Sequence, residues 1–152
     1  MAEKKWFEEW FNSPYYHLLY AHRSEHEAEC FIEKISAHLQ IAKGAKVLDV
    51  ACGKGRHAKT LHKLGFAVTG IDLSPNSITE ARQCAPADLQ FDVWDMRKVY
   101  RASAFDYVFN IFSSFGYFEN DEEDLDAVKA FASNLKPNGT LVFDYVNTEW
   151  LV

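Results

Sequence analysis

At roughly 100–200 residues per domain, a chain of 152 residues makes one domain and not two. Its 16 Lys and Arg against 22 Asp and Glu leave a formal charge of −6, which excludes a general binder of phosphate backbones, since that task needs a basic face. A hydrophobic share of 48% with 25% charged and 15% aromatic residues excludes long disorder and supplies ample apolar surface to bury.

The first 43 residues read as helical. Phe31, Ile35, His38 and Leu39 recur at helical spacing, with Glu27, Glu29, Glu33 and Lys34 between them. Ser13-Pro14 interrupts the segment and opens a helix with Pro14 at its first position, and Gly44 is expected to end the helical part. Met1 to Trp10 lacks the apolar core of a signal peptide, and no stretch nears the roughly 18 apolar residues of a membrane span. Cys30, Cys52 and Cys84 form no Cys-x-x-Cys pair, so they read as free thiols in a reducing compartment and the chain as cytoplasmic, with no metal site.

From Lys46 the pattern changes. Val47 to Ala51 is a short apolar run closed by Gly53 and Gly55, which predicts a buried strand and a turn. A helix over 56–64 follows, stopped by Gly65, and then a second strand from Phe66 to Ile71. Ser74-Pro75 opens a helix to about Cys84; Leu89 to Val93 is the third strand and Phe105 to Phe112 the fourth. Six acids lie between Glu119 and Asp126, where a helix dipole favours negative charge, and they mark the start of a helix over 121–135. Pro137-Asn138-Gly139 is expected to end it, and Thr140 to Val146 is the fifth strand. Strands that alternate with helices and lack polar alternation predict an α/β fold: a doubly wound, mostly parallel sheet with helices on both faces.

The most informative segment is Val47-Leu48-Asp49-Val50-Ala51-Cys52-Gly53-Lys54-Gly55-Arg56-His57-Ala58. A buried strand runs into two glycines one residue apart, and a helix begins there. Glycine permits the sharp turn and close approach of a ligand, and the helix start offers unpaired N–H groups. Asp72 follows Gly55 by seventeen residues, at the end of the second strand. In a doubly wound sheet a carboxylate at that point lies beside the first turn and can take both ribose hydroxyls; alone, it could equally be a helix cap. Gly53, Gly55 and Ala58 also fit a permitted form of the dinucleotide fingerprint, so the glycines leave a nicotinamide-dependent oxidoreductase open.

Five segments resemble the class I S-adenosylmethionine-dependent methyltransferases. VLDVACGKGRH is similar to their first motif, GIDLS at 70–74 to the second-strand motif, and FDVWDMR at 91–97 to the motif after the third strand. FDYVFNIFSSFGYF at 105–118 resembles the fourth strand and its turn, and LKPNGTLVFDYVN at 135–147 the fifth strand. The resemblance is closest to the small-molecule branch. It implies a Rossmann-like domain over 44–152 that binds S-adenosylmethionine, preceded by a helical cap or lid over 1–43. It further implies that Asp72 holds the ribose and Asp95 the adenine amine, with Leu73 and Met96 sandwiching the ring. Asp49 and the backbone of Ala51, Cys52, Gly53 and Gly55 would face the methionyl end, and Asn110 the sulfonium. Core packing is the alternative for Leu73 and Met96. Ala51 stands where the family commonly has Gly, with little effect expected.

Asn110-Ile111-Phe112-Ser113 is not the Asn-Pro-Pro-Tyr run of nucleic-acid amino methyltransferases, so a small-molecule acceptor is expected rather than DNA or RNA. The aromatics Trp6, Phe7, Trp10, Phe11, Tyr15, Tyr16 and Tyr20 would form a lid or simply pack on the sheet. His57 opens the first crossover helix near the expected ligand, and no general base stands out. The family's last two strands, a hairpin at the sheet edge, have no counterpart after Asn147. A catalytically silent cofactor-binding fragment is therefore a further alternative, and the uncovered fifth strand is expected to support a homodimer. Replacing Asp72 is expected to cost cofactor affinity and little stability.

Overall fold

The computed structural model describes residues 5–11, 13–19, 25–83, 85–147 and 149. Three helices lead: α1 (Trp6–Phe11), α2 (Pro14–Leu19) and α3 (Glu25–His38). The αβ part then runs β1 (Lys46–Val50), α4 (Arg56–Lys63), β2 (Ala67–Asp72), α5 (Pro75–Gln83), β3 (Gln90–Val93), β4 (Phe105–Asn110), α6 (Asp121–Asn134) and β5 (Leu135–Phe143). The five strands form one parallel sheet in the order β3-β2-β1-β4-β5. The expected architecture is therefore present, and β1, the strand that leads into the glycine turn, is central. Cys84 and Tyr20 lie outside the described residues, as do the side chain of Tyr16 and the last two positions.

Alternation along β1 divides the core in two. Val47 packs with Ile32, Ala58, Leu61 and Ile78 of α3, α4 and α5, whereas Leu48 and Val50 pack with Ala127 and Phe131 of α6. Successive side chains of a strand point to opposite faces, so a run apolar at both parities needs cover on both sides. Burying each large side chain contributes about 1.5–3 kcal/mol, and both clusters hold several that water does not reach. Among the described residues no helix is long and apolar enough to cross a membrane.

Helix ends follow local chemistry. Ser74 caps α5 by accepting the Ser77 N–H at 3.2 Å, with Pro75 at the first helical position. Asn120 caps α6 by accepting the Glu123 N–H at 3.0 Å, ahead of the four acids Asp121 to Asp124. Three expectations are corrected. The leading helix stops at His38 and not near Gly44: Gln40 takes φ 51, and the Gln40 and Ile41 amides turn back to the Ala37 and Ser36 carbonyls, which closes the helix earlier. β5 starts at Leu135 and ends at Phe143, not 140–146. Phe105 pairs with Leu135 and Tyr107 with Thr140, so the Pro137-Asn138-Gly139 turn is a bulge inside the strand. Asn138 at φ 64 makes the excursion, and Lys136 anchors it to Asp106 at 2.7 Å. β4 likewise stops at Asn110, because Phe112 and Ser113 both take left-handed φ, 67 and 51.

Candidate active site

A cavity of about 580 Å³ opens above the C-terminal ends of β1 and β2, a size suited to a ligand built on a nucleoside. Its floor is the turn after β1. Ala51, Gly53 and Gly55 all take left-handed φ, 59, 55 and 77, so the chain reverses within five residues. The Cys52 N–H donates to the Ile71 carbonyl at 3.0 Å and the Gly55 N–H to the Cys52 carbonyl at 2.9 Å, locking the turn to β2.

Asp72 sits where the two halves of the floor meet. One carboxylate oxygen accepts the Gly53 N–H at 2.8 Å and the other accepts the Ser74 N–H at 2.8 Å. It therefore clasps the turn after β1 to the turn after β2 while lining the cavity. Leu73 and Met96 line it too, and Met96 also packs on the α6-side core, so packing and lining are one position.

Asp95 lines the cavity and is held by Arg97, which reaches its two oxygens at 2.7–3.1 Å from side chain and backbone. Burial raises the Asp95 pKa, but the Arg97 hydrogen bonds and charge outweigh it and hold the group below the usual carboxylate range. Arg97 also donates to Glu123 at 2.9 Å, which pairs in turn with Lys5.

The roof is aromatic. Phe7 meets Phe118 edge-on at 5.6 Å and Phe11 meets Tyr117 at 5.0 Å, so α1 rests on the loop after β4. Phe7, Phe11, Tyr117 and Phe118 all line the cavity, with Glu9 beside them.

Residues 47–139 match the protein family described as "Methyltransferase domain". The chain belongs to that family. It is 37% identical over 100 residues to a dTDP-3-amino-3,4,6-trideoxy-alpha-D-glucopyranose N,N-dimethyltransferase of Streptomyces venezuelae, covering 66% of this chain and 42% of that protein. It is 34% identical over 122 residues to a ubiquinone biosynthesis O-methyltransferase of Xanthomonas axonopodis pv. citri, covering 76% and 48%. The chain thus spans about half the length of the curated relatives it matches. Among solved structures, an S-adenosylmethionine-bound amino pentose methyltransferase from Micromonospora echinaspora superposes with a TM-score of 0.71 at 29% identity, covering 96% of this chain and 59% of that one.

In this methyltransferase domain the sequence-singled residues divide. Ala51, Gly53, Asp72, Leu73, Asp95 and Met96 line the cavity; Asp49, Cys52, Gly55 and Asn110 do not. Gly53 has open space where a Cβ would stand, whereas a Cβ on Gly55 would lie 2.4 Å from the Phe91 ring. The two glycines of one motif thus serve ligand access and core packing separately. Gly70 meets the same ring and the Cys52 sulfur, so the Cys52 side chain belongs to the core. Burial pushes His57 down to about 4, with Arg56 adding to the effect, so it is neutral at pH 7; it does not line the cavity. Trp94, Tyr117 and Phe118 were not singled out as site residues. Tyr117 and Phe118 stand in the SSFGYF phrase, whose aromatic content was their available signal, and Trp94 is placed by its indole N–H bond to the Lys98 carbonyl at 3.0 Å.

Behind the turn, Asp49 Oδ2 and Asn110 Oδ1 are buried without a hydrogen-bond partner. Burial, then the charge of Asp72, raises Asp49 to about 7, with the Ala58 backbone amide opposing. The folded protein therefore keeps a proton that the unfolded chain releases near its ordinary pKa of 3.8. Stability from this group is full below that value and falls as pH rises towards 7. Asp49→Asn should unfold at a higher temperature than the parent at pH 8 and lose that advantage at pH 4; an equal difference at both pH values contradicts the linkage.

Ala51, whose departure from the family's Gly was expected to have little effect, carries a backbone strain at φ 59. A left-handed alanine costs about 1–2 kcal/mol, and glycine there forfeits about 0.5–1 kcal/mol of chain entropy. Ala51→Gly should raise stability in thermal unfolding by about 0.5–1 kcal/mol.

Proposed function

We propose that this chain binds S-adenosylmethionine in the cavity and holds it for methyl transfer to a small-molecule acceptor. The observation that carries the reading is the Asp72 carboxylate on the cavity rim, fixed by the Gly53 and Ser74 amides beside an open glycine turn. The residues fit the group. Asp72 offers charge-assisted acceptance to ribose hydroxyls, and Leu73 and Met96 offer an apolar slab for a flat ring. The open side of Gly53 gives room against the backbone, and the cavity carboxylates of Asp72 and Asp95 suit a cationic ligand. Asp95 would meet the adenine amine while already held by Arg97. Asp49 and Asn110, with their unmet oxygens, would bias the methionyl end from behind the turn.

S-adenosylmethionine, when bound, supplies a methyl group on a sulfonium that is already activated for direct displacement. The protein's part is positioning, which can supply much of the acceleration. The α1 aromatics and Phe118 would act as a lid that excludes water, which narrows the cap from the segment 1–43 to α1, since α3 packs in the core through Ile32. The named relatives, methyltransferases of amino sugars and of ubiquinone synthesis, support a small-molecule acceptor over nucleic acid. Free Cys30 and Cys52 support a reducing, cytoplasmic setting.

Calorimetric titration with S-adenosylhomocysteine, S-adenosylmethionine and NAD in parallel tests the proposal: the first two should bind and NAD should not. NAD binding without response to the others would support the oxidoreductase reading instead.

For the 152-residue polypeptide we also propose self-association through β5, which pairs only with β4 among the described residues and exposes Leu141 and Phe143. Light scattering should show a dimer; a monomer at all concentrations would remove this idea.

A further inference from the structure

The aromatic end of the cavity lies under α1, where that helix rests on the loop after β4. Glu9 stands there with Phe11, Tyr117 and Phe118. No Lys, Arg or His is among the described residues that line the cavity. Asp72 is engaged by backbone amides and Asp95 by Arg97, while among the described residues no hydrogen bond or ion pair engages Glu9.

Such an end discriminates by charge. An anionic acceptor would lose its water shell and find no cation among the described lining residues. A hydroxyl acceptor needs a base to take its proton in the transition state, and no histidine or lysine is among the described residues that line the wall. An amine needs neither. Its cationic form is attracted by the Glu9 carboxylate and by the rings of Phe11 and Tyr117, and its apolar body fits against Phe118, whose ring already carries the Arg97 guanidinium at 5.0 Å. Its neutral form carries the lone pair that attacks.

We propose that the acceptor is a small amine with an apolar body, drawn in by Glu9 and seated against Phe11, Tyr117 and Phe118; this rests on the cofactor reading above. The arriving ammonium gives one proton to water past the Glu9 carboxylate. The neutral nitrogen then forms the N–C bond as the C–S bond breaks, and that electron pair goes to sulfur. The sulfonium becomes a neutral thioether, and the positive charge passes to the methylated nitrogen. Glu9 is a specificity-determining residue here: it selects the acceptor and takes no part in holding the cofactor.

Matched probes test this on the whole chain saturated with S-adenosylhomocysteine. Cyclohexylamine, cyclohexanol and cyclohexanecarboxylate share one ring and differ in charge. In a titration followed by the Tyr117 and Phe118 amide resonances, the amine should bind at least tenfold tighter than the alcohol, and the carboxylate should not bind. Glu9→Gln should bring the amine to the level of the alcohol and leave S-adenosylhomocysteine affinity within twofold. Equal binding of amine and alcohol, preference for the carboxylate, or an amine preference that survives Glu9→Gln overturns the inference and leaves the cofactor reading standing. Failure of S-adenosylhomocysteine to bind at all overturns both.

Discussion

Gly55→Ala should lower the stability of the fold by about 2–5 kcal/mol, the sum of two independent costs. The backbone is at φ +77, where an alanine costs about 1–2 kcal/mol. The new methyl would stand 2.4 Å from Phe91 Cζ and 3.4 Å from the Ala81 methyl, and overpacking of this kind costs about 1–3 kcal/mol. For a domain of this size each kcal/mol moves the thermal midpoint by roughly 2–4 °C, so a fall of about 5–15 °C is expected. Trimming the ring should relieve the second cost alone. Phe91→Leu should therefore be less damaging in the Gly55→Ala background than in the parent, with a coupling of about 1 kcal/mol or more. A loss below about 1 kcal/mol with no coupling would show that the ring does not set the glycine.

Asp72→Ala should cost both binding and stability. The substitution strips the acceptor from the Gly53 and Ser74 amides, each a charge-assisted bond worth about 1.5–3 kcal/mol when partly buried. Exposure to water at the cavity rim reduces the sum, and a loss of about 2–4 kcal/mol in unfolding is expected. The expectation of little change in stability, drawn from the sequence, is corrected by these two bonds. Affinity for S-adenosylhomocysteine should fall at least about tenfold, equivalent to 1.4 kcal/mol or more. Asp72→Asn separates the roles. Its amide oxygen can keep one backbone N–H while the charge is lost, so it should fold nearer the parent and still bind weakly. An Asn variant that binds like the parent would make Asp72 a structural clasp only.

The doubly covered parallel sheet was legible because Val47 on one face of the first strand and Leu48 and Val50 on the other are apolar, and only a sheet covered twice satisfies that. The α6 start was legible from its acids, and the α5 start from Ser74-Pro75. The bulge in β5 was not. Pro137-Asn138-Gly139 carries the same signal whether it ends a helix or interrupts a strand, and the pairing of Leu135 with Phe105 that decides the matter is thirty residues away. The cavity floor was legible at Gly53 and Asp72, where turn chemistry and ligand chemistry ask for the same residue types. It was not legible at Gly55 and Cys52, whose neighbour Phe91 arrives from β3. Asp95 illustrates the same limit at short range: its motif points to a ligand, yet Arg97, two positions on, takes up its oxygens.

The most direct measurement is a map of backbone amide shifts as S-adenosylhomocysteine is titrated into the labelled 152-residue chain. Gly53, Leu73 and Met96 should shift together and saturably, with Lys63 and Gly65 at the far end of the sheet unmoved and NAD giving no response. Saturable shifts that cluster away from the turn after β1, or none at all in a folded protein, would contradict the assignment of this cavity to S-adenosylmethionine.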